Sequence, residues 1–363
     1  MKELKISFCT TCMNRLHHLR HTLIRNISDN QDYQNIEFVL LDYNSNDGLS
    51  EFISKNFSKD IATGKLKYYR TEEPDGYNMS HSRNMAFKLA SGEVVCNIDA
   101  DNFTGRGFAS YVNRCFINNR LVFLTTHNIP GVKNDVLGRI CVKKEDFQAV
   151  NGYDERMLHY GFDDIDFANR LEAKGLRKIQ IESSDFLRAI EHTNHERMNN
   201  YMQGKGYQAL LIRYINAGAS ELILLFEGNS YVRGTIINNH YHNVLNHGGF
   251  LNRDTRYRFS ILESDWEEGT WEETTSKIFI KKTADHTMIL TKRKEFRYNS
   301  SQNEDYYLVQ SSQVKETVLF FYNQICNRII MENNAKNKNG LVNSGRYGQG
   351  KIRKNFNKEY IQI

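Results

Sequence analysis

The sequence has no long hydrophobic run. Among its most apolar stretches is residues 221–226, whereas a membrane-spanning helix needs about 18 or more consecutive apolar residues. The first residues lead directly into a strand pattern at residues 5–9 and show no signal sequence. We therefore predict no transmembrane segment, and we leave a peripheral association with a membrane open.

The sequence also lacks a strong charge of either sign and a paired set of cysteines. Its formal net charge is +5 over 363 residues, which gives no reason to expect nucleic-acid binding and would not oppose an anionic substrate. The six cysteines are scattered, and the close pair Cys9 and Cys12 has no second pair at zinc-ribbon spacing. We predict reduced, buried or half-buried thiols and a cytoplasmic protein.

Strand and helix patterns alternate over the first part of the chain. The strand patterns lie at residues 5–9, 36–41, 66–69 and 94–98, and the helix patterns at 14–27, 48–57 and 80–90. Such alternation predicts an α/β fold with a mostly parallel sheet and helices on both faces. In sheets of this kind ligands bind at the carboxyl ends of the strands.

The pattern changes after about residue 230, where β-rich runs begin. A later helix pattern repeats apolar residues at spacings of three and four from Val314 to Ile329. We predict a first, α/β domain over residues 1–228, with a helical connector at 196–228, and a smaller, β-rich domain with a closing helix over 229–332. The basic, Asn- and Gly-rich tail at 333–363 is either a surface segment or one ordered by a ligand.

Two acidic residues, Asp99 and Asp101, follow the apolar run at residues 94–98. Side chains alternate along a strand, so both carboxylates point the same way if the strand conformation continues. Two such carboxylates repel each other unless a cation lies between them or one is protonated. Hard divalent ions such as Mn²⁺ or Mg²⁺ suit these oxygen ligands. The pair predicts a metal site, with a solvated loop carrying two acids by chance as the alternative.

Further polar clusters support a shared site. Residues 10–15 and 42–48 follow the first two predicted strands, and the carboxyl ends of parallel strands meet at one edge of a sheet. An acidic cluster of Asp163, Asp164 and Asp166 opens a later helix pattern. Capping of the helix N-terminus is the alternative explanation for one or two of these three acids.

Five strings occur in order along the chain: CTTCMNR at residues 9–15, DYNSNDG at 42–48, SRNMA at 82–86, DAD at 99–101, and GYDE followed by DDID over 152–166. With them, roughly residues 4–200 resemble the GT-A-fold glycosyltransferases of the family-2 type. The second half of this region is similar to galactosyltransferases and to bacterial chondroitin-type polymerases. The resemblance implies inverting transfer of a hexose from a UDP-sugar to a saccharide or glycolipid-linked hydroxyl, with Gal or GalNAc favoured over GlcNAc or Glc.

The resemblance also implies roles for individual residues. Asp101 and Asp99 would hold Mn²⁺ or Mg²⁺ on the donor diphosphate, with Asp101 as the direct ligand, and His195, or else His192, would be a third ligand. The donor-binding residues would be Thr10, Thr11, Arg15, Asp42, Asn44, Arg83 and Asp99. At Asp42 the sequence departs from the family, which often has two adjacent acids there.

On the acceptor side, the resemblance makes Asp164 the general base that deprotonates the acceptor hydroxyl. Asp163 and Gly161 would bind sugar hydroxyls. A nucleotidyltransferase on a similar sheet is one alternative, although it would normally have a glycine-rich loop after the first strand, and residues 10–15 contain no glycine. A non-catalytic sugar-binding protein is another, against which the presence of Asp164 speaks.

Overall fold

A computed structural model describes residues 3–126, 136–193, 196–197, 207–216, 219–238, 259–261, 267–283, 286–337 and 339–363. The chain divides into two compact units. Unit 1 comprises Met1–Thr193 and Cys326–Ile363, and unit 2 comprises Asn194–Ile325. Unit 1 is therefore discontinuous in sequence.

The strands are β1 (Ile6–Cys12), β2 (Ile36–Tyr43), β3 (Leu66–Thr71), β4 (Val94–Asn97), β5 (Asn102–Phe103), β6 (Val122–Thr125), β7 (Ile140–Lys143), β8 (Arg177–Gln180), β9 (Arg188–Ala189), β10 (Tyr207–Asn216), β11 (Ala219–Phe226), β12 (Ser230–Asn238), β13 (Phe259–Ile261), β14 (Glu267–Glu273), β15 (Lys277–Thr283), β16 (His286–Lys294), β17 (Arg297–Ser300), β18 (Asp305–Leu308), β19 (Lys351–Lys354) and β20 (Ile361–Gln362). The α-helices are α1 (Leu16–Asp29), α2 (Leu49–Asn56), α3 (Ser58–Ala62), α4 (Met79–Leu89), α5 (Phe108–Ile117), α6 (Lys144–Ala149), α7 (Asp163–Ala173) and α8 (Ser312–Lys336).

Unit 1 is built on a mixed sheet with the order β20-β19-β3-β2-β1-β4-β7-β6-β8. The neighbours β3, β2, β1 and β4 are parallel, and β7 joins antiparallel to β4. Alternate residues of the central strand face opposite layers: Phe8 packs in one core with Leu19 of α1, and Cys9 packs in another with Phe87 of α4. The predicted α/β fold with helices on both faces is confirmed.

Unit 2 is a closed antiparallel barrel. Its strand order is β11-β10-β18-β17-β16-β15-β14-β12-β13, and β11 also pairs with β12, which closes the sheet on itself. Leu211, Ile223 and Trp271 share the core inside this barrel. Their strand neighbours Leu210 and Leu222 pack instead with the first turns of α8. The predicted β-rich second region is thereby confirmed.

The predicted helical connector at residues 196–228 is wrong for residues 207–216 and 219–226, which form strands β10 and β11. Both faces of this hairpin are buried, because Leu222 and Leu224 face α8 while Ile223 and Leu225 face the barrel core. A strand buried on both faces is a continuous apolar run, which periodicity cannot distinguish from a buried helix. The division between the units therefore lies near residue 194, earlier than the predicted boundary at 228.

The predicted tail at residues 333–363 is an integral part of unit 1. It begins in the last turn of α8, and β19 then pairs antiparallel with β3, extending the sheet at its edge. The ring of Phe356 stacks on Tyr68 with centroids 4.8 Å apart. The segment is held by contacts within the protein itself.

The fold bears on the predicted absence of membrane-spanning helices and on the predicted state of the cysteines. Within the described part of the chain, no helix has the length and apolarity needed to cross a membrane. Four of the six cysteines are buried and two are half-buried, and none forms a disulfide, as predicted for the thiols. The cytoplasmic location stays a prediction.

Candidate active site

Asp101 lies just beyond the carboxyl end of β4 and is held by contacts to both of its oxygens. Its Oδ2 lies 2.6 Å from His192 Nε2, and its Oδ1 accepts a hydrogen bond of 2.9 Å from Asn102 Nδ2. The side chain is 12% exposed. The helix that follows β1 also lies near this pair, because the ring of His18 in α1 lies 5.3 Å from that of His192.

Arg83 joins the strand-end acids to the acids that open α7. It projects from α4, is buried, and donates from Nη2 to Asp99 Oδ1 at 3.0 Å and from Nη1 to Asp163 Oδ2. Burial disfavours its charge, yet Asp163 and Asp99 raise the pKa of Arg83 well above its usual range. Burial also raises the pKa of Asp163, a shift that Arg83 opposes. Each terminal nitrogen of Arg83 thus has a partner within the protein, and its predicted role in donor binding stays a prediction.

The Asp99–Arg83 contact depends on a glycine on the neighbouring strand end. A Cβ at Gly138 would lie 2.4 Å from Asp99 Oδ2 and 2.5 Å from Arg83 Nη2. Asn97 Nδ2 donates both to Asp99 Oδ1 at 2.8 Å and to the Gly138 carbonyl at 2.9 Å. Residue 138 therefore forms a close-fitting wall beside Asp99.

The two polar clusters after β1 and β2 are bonded to each other. The Asn14 N–H donates to Ser45 Oγ at 3.1 Å, and the Leu16 N–H, next to Arg15, donates to Asp47 Oδ2 at 2.7 Å. Asn44 adopts a positive φ of 59° and donates from Nδ2 to the Pro74 carbonyl at 2.8 Å. The structure thus brings these clusters to one edge of the sheet.

Thr10 and Thr11 are buried near the end of β1, as is the rest of the strand. The hydroxyl of Thr11 lies 2.6 Å from Tyr77 Oη, which belongs to the loop between β3 and α4. The predicted donor-binding residues at this strand end are therefore linked to the loop that leads into the helix of Arg83.

Asp42 departs from its predicted contact with the nucleotide. Its side chain is 0% exposed, and its carboxylate accepts from Tyr68 Oη at 2.6 Å, Arg70 Nη1 at 2.8 Å and the Ser45 N–H at 2.8 Å. Burial raises the pKa of Asp42, and these donors oppose that shift. Asp42 supports the loop at residues 42–47 from beneath, because its oxygens are already occupied.

The three acids at the start of α7 have three different environments. Asp163 pairs with Arg83, and buried Asp166 accepts from Arg170 Nε at 2.7 Å. Asp164 is half-buried, and its Oδ1 accepts the Ile165 N–H at 2.8 Å. Capping therefore does not explain the cluster as a whole, and Asp164 differs from both neighbours in facing partly outward.

Helix α8 supplies residues that sequence analysis missed. Asn327 Nδ2 donates to the carbonyls of His159 and Gly161 at 2.6 and 2.7 Å, so the predicted contact of Gly161 with a sugar could not use this carbonyl freely. Asn334 Nδ2 donates to Asp154 Oδ2 at 2.8 Å and Asp166 Oδ1 at 2.9 Å. The available signal was a pair of asparagines seven residues apart, a spacing that places both on one face of the helix.

Replacing Asn334 with Ala is expected to lower the free energy of unfolding by about 2–3 kcal/mol, because two buried carboxylates lose a shared donor. Urea unfolding monitored by circular dichroism would measure it. Asn333→Ala is the matched control on the same helix: Asn333 is exposed, so its loss should cost less than about 0.5 kcal/mol. Equal effects of the two substitutions would contradict the role given to Asn334.

Residues 339–363 buttress the site from behind. Asn343 Nδ2 donates to the carbonyls of Asn151 and Tyr153 at 2.8 and 2.6 Å. Glu155 Oε1 accepts from the Gly348 N–H at 2.6 Å and from Asn84 Nδ2 at 2.9 Å. Because Asn84 follows Arg83 in α4, this segment is coupled directly to the helix that carries the central guanidinium.

Asp101 and His192 form a donor pair that could hold a metal ion. Their facing oxygen and nitrogen lie 2.6 Å apart, and Asp99 lies two residues away. Carboxylate oxygen with imidazole nitrogen suits Mn²⁺ and related divalent ions. The second choice of the sequence analysis, His192, is therefore brought to Asp101, and the first choice, His195, lies outside the described residues.

Two parts of the chain match models of known protein families. Residues 7–109 match the family model of glycosyl transferase family 2, and residues 134–197 match that of the N-terminal domain of galactosyltransferase. These are the two resemblances inferred from the five strings, and both are confirmed. A comparison with curated proteins gives no match.

Among solved structures, the chain is similar to the mannosyltransferase PcManGT from Pyrobaculum calidifontis in complex with GDP-Man and Mn²⁺, with 18% identity and a TM-score of 0.44 over 56% of this chain and 64% of that chain. It is similar to S. aureus TarS 1–349 in complex with UDP, with 16% identity and a TM-score of 0.42 over 55% and 64%. For the catalytic domain of Drosophila β1,4-galactosyltransferase 7 in complex with xylobiose, the values are 15%, 0.37, 55% and 75%. The chain thus spans 64% of the first two structures, and all three are distant neighbours.

Proposed function

We propose that this chain is an inverting, metal-dependent glycosyltransferase, because residues 7–109 match the model of glycosyl transferase family 2 and residues 134–197 match that of the N-terminal domain of galactosyltransferase. It would move a hexose from a UDP-sugar to a saccharide or glycolipid-linked hydroxyl. One observation carries the proposal: Arg83 contacts both Asp99 and Asp163. This single guanidinium brings the leaving-group acids and the nucleophile-side acids to one place.

On the leaving-group side, Asp101 and His192 would hold the divalent ion, Mn²⁺ or Mg²⁺, with Asp99 beside them. Such an ion supplies Lewis-acid stabilisation of the charge that develops on a departing diphosphate. The nucleotide would lie along the strand ends near Thr10, Thr11, Arg15 and Asn44. Arg83 would keep Asp99 in place on the donor side of the site.

On the nucleophile side, Asp164 would accept the proton of the acceptor hydroxyl. As that proton leaves, the hydroxyl oxygen forms a bond to the anomeric carbon, and the bond from this carbon to the diphosphate oxygen breaks on the opposite face. One displacement of this kind inverts the anomeric configuration. Asp163, which is paired with Arg83, would fix the start of α7 and leave Asp164 to meet the acceptor.

The galactosyltransferase-like region supports Gal or GalNAc as the transferred sugar, with GlcNAc and Glc as alternatives. Purified chain would be incubated with each of the four UDP-sugars and Mn²⁺, with and without EDTA, and UDP release would be measured. We expect one donor to be hydrolysed or transferred in a strictly metal-dependent way. Failure of all four donors to bind or turn over with Mn²⁺ would contradict the proposal.

The same assay separates the two alternatives. Given UTP and a sugar phosphate as substrates, a nucleotidyltransferase would release pyrophosphate. It would leave the UDP-sugars intact. A non-catalytic sugar-binding protein would bind saccharide without releasing UDP. We propose further that the protein acts in the cytoplasm without a nucleic-acid partner.

A further inference from the structure

Arg139 is a fully buried cation directly behind the candidate metal site. It immediately precedes β7 and is 0% exposed. Its Nη2 donates to Asn102 Oδ1 at 3.1 Å and to the Phe103 carbonyl at 2.9 Å, and its Cζ lies 5.4 Å from the ring centroid of Phe108. Within the described residues, Nε and Nη1 have no hydrogen-bond partner. Arg83 and Arg170 are also buried in unit 1, but each pairs with a carboxylate, whereas no carboxylate among the described residues contacts Arg139.

Burying such a charge lowers the stability of the folded protein unless other contacts compensate for it. A buried charge loses its hydration, and it normally regains stability from a paired carboxylate. Burial lowers the pKa of Arg139 to about 10, so the guanidinium remains protonated at neutral pH. Asp99 and Asp101 oppose this shift through space, and neither is hydrogen-bonded to Arg139 among the described residues. The arrangement therefore places a positive charge under the two strand-end acids.

Asn102 connects Arg139 to Asp101. A guanidinium can only donate hydrogen bonds, so the Asn102 amide must turn its acceptor, Oδ1, toward Arg139. The Nδ2 of the same amide is then directed at Asp101 Oδ1, at 2.9 Å. Because Oδ1 is held in this way, Oδ2 is the oxygen that faces His192, at 2.6 Å.

We propose that Arg139 is a positioning residue for Asp101: through Asn102 it fixes the orientation in which the Asp101 carboxylate faces His192 and the divalent ion. The inference rests on the proposed function, because it assumes a metal at Asp101. Outer partners that orient a metal ligand typically change metal affinity by about 10- to 100-fold. Arg139 does not contact substrate and takes no part in the reaction itself.

The test is the dissociation constant of Mn²⁺ in the absence of any donor, measured from the electron paramagnetic resonance signal of free Mn²⁺. Two substitutions break the connection differently: Asn102→Ala leaves the buried charge in place, and Arg139→Met removes it. We expect each to weaken Mn²⁺ binding by about tenfold or more. The double variant should bind no more weakly than the weaker single variant, because both substitutions break one chain of contacts.

Two controls separate positioning from general stability. Arg139→Lys keeps a charge and a donor and should recover part of the affinity. Ile140→Val changes the buried apolar residue that follows Arg139, at the start of β7, and should lower stability while leaving the Mn²⁺ constant unchanged. If Arg139→Met does not fold, Asn102→Ala and Arg139→Lys decide the question.

Folded Asn102→Ala or Arg139→Met protein that binds Mn²⁺ as tightly as the wild type, or more tightly, would overturn the inference. Asp101→Ala distinguishes this failure from failure of the proposed function. If Asp101→Ala loses Mn²⁺ while Asn102→Ala and Arg139→Met retain it, only the role of Arg139 is wrong. If Asp101→Ala also retains Mn²⁺, the metal assignment itself is wrong.

Discussion

Replacing Asp101 with Ala is expected to abolish Mn²⁺-dependent binding of UDP and to reduce sugar transfer by about a thousandfold or more. The physical reason is that Lewis-acid stabilisation of a departing diphosphate is worth several kcal/mol, and each 1.36 kcal/mol is a factor of about ten in rate. In unit 1, Asp101 is the acid that contacts both His192 and Asn102. No other described acid has this pair of partners, so we expect no other acid to take over the role of Asp101 as metal ligand.

Isothermal titration of UDP with and without Mn²⁺ would measure the first effect, and UDP release would measure the second. Asp185→Asn is a suitable control, since Asp185 is an exposed acid in the same unit and its loss should change neither quantity. UDP binding that stays Mn²⁺-dependent in the Asp101→Ala protein would rule out the metal assignment.

Changing Asp164 to Asn is expected to spare donor binding and to lower transfer by about 10²–10⁴-fold, the usual contribution of a positioned general base. Asn has nearly the same shape and can still accept the Ile165 N–H that Asp164 Oδ1 accepts at 2.8 Å. The start of α7 should therefore keep its structure. What the substitution removes is the carboxylate that takes the acceptor proton.

Asp166→Asn provides the matched contrast on the same helix. Asp166 is buried between Arg170 and Asn334, so its substitution should reduce stability and leave the turnover of the folded protein close to normal. Equilibrium binding of UDP with Mn²⁺, stopped-time transfer assays and urea unfolding would be measured on both variants. A fully active Asp164→Asn protein, or one that no longer binds UDP, would exclude Asp164 as the base.

The parts of this molecule that sequence analysis predicted are those encoded within short segments. Alternating strand and helix patterns sufficed for the sheet of unit 1, and the acids at 99–101 and 163–166 were found because they directly adjoin a strand and a helix. The partner of Asp42 was not predictable in this way. Arg70 lies opposite Asp42 across β2 and β3, and strand register is not encoded in either strand alone.

The remaining misses share a long separation along the chain. Asn334 reaches Asp154 across 180 residues, and Gly348 reaches Glu155 across 193. Arg139, which immediately precedes β7, reaches Asn102 across 37. Such contacts depend on how whole elements pack. A single sequence therefore predicts the elements but does not predict these contacts.

The discontinuity of unit 1 has a consequence for how the protein is made. β19 adds to the sheet at β3, but the ribosome synthesises all of Asn194–Ile325 before it reaches this strand. At translation rates of about 5–20 residues per second, that insertion takes on the order of ten seconds. During this interval the edge of β3 has no β19 beside it, and an open strand edge is a template for pairing with another chain. The nascent protein is therefore most exposed to aggregation while its barrel is being synthesised, at a stage when the residues of its candidate active site have already left the peptidyl-transferase centre.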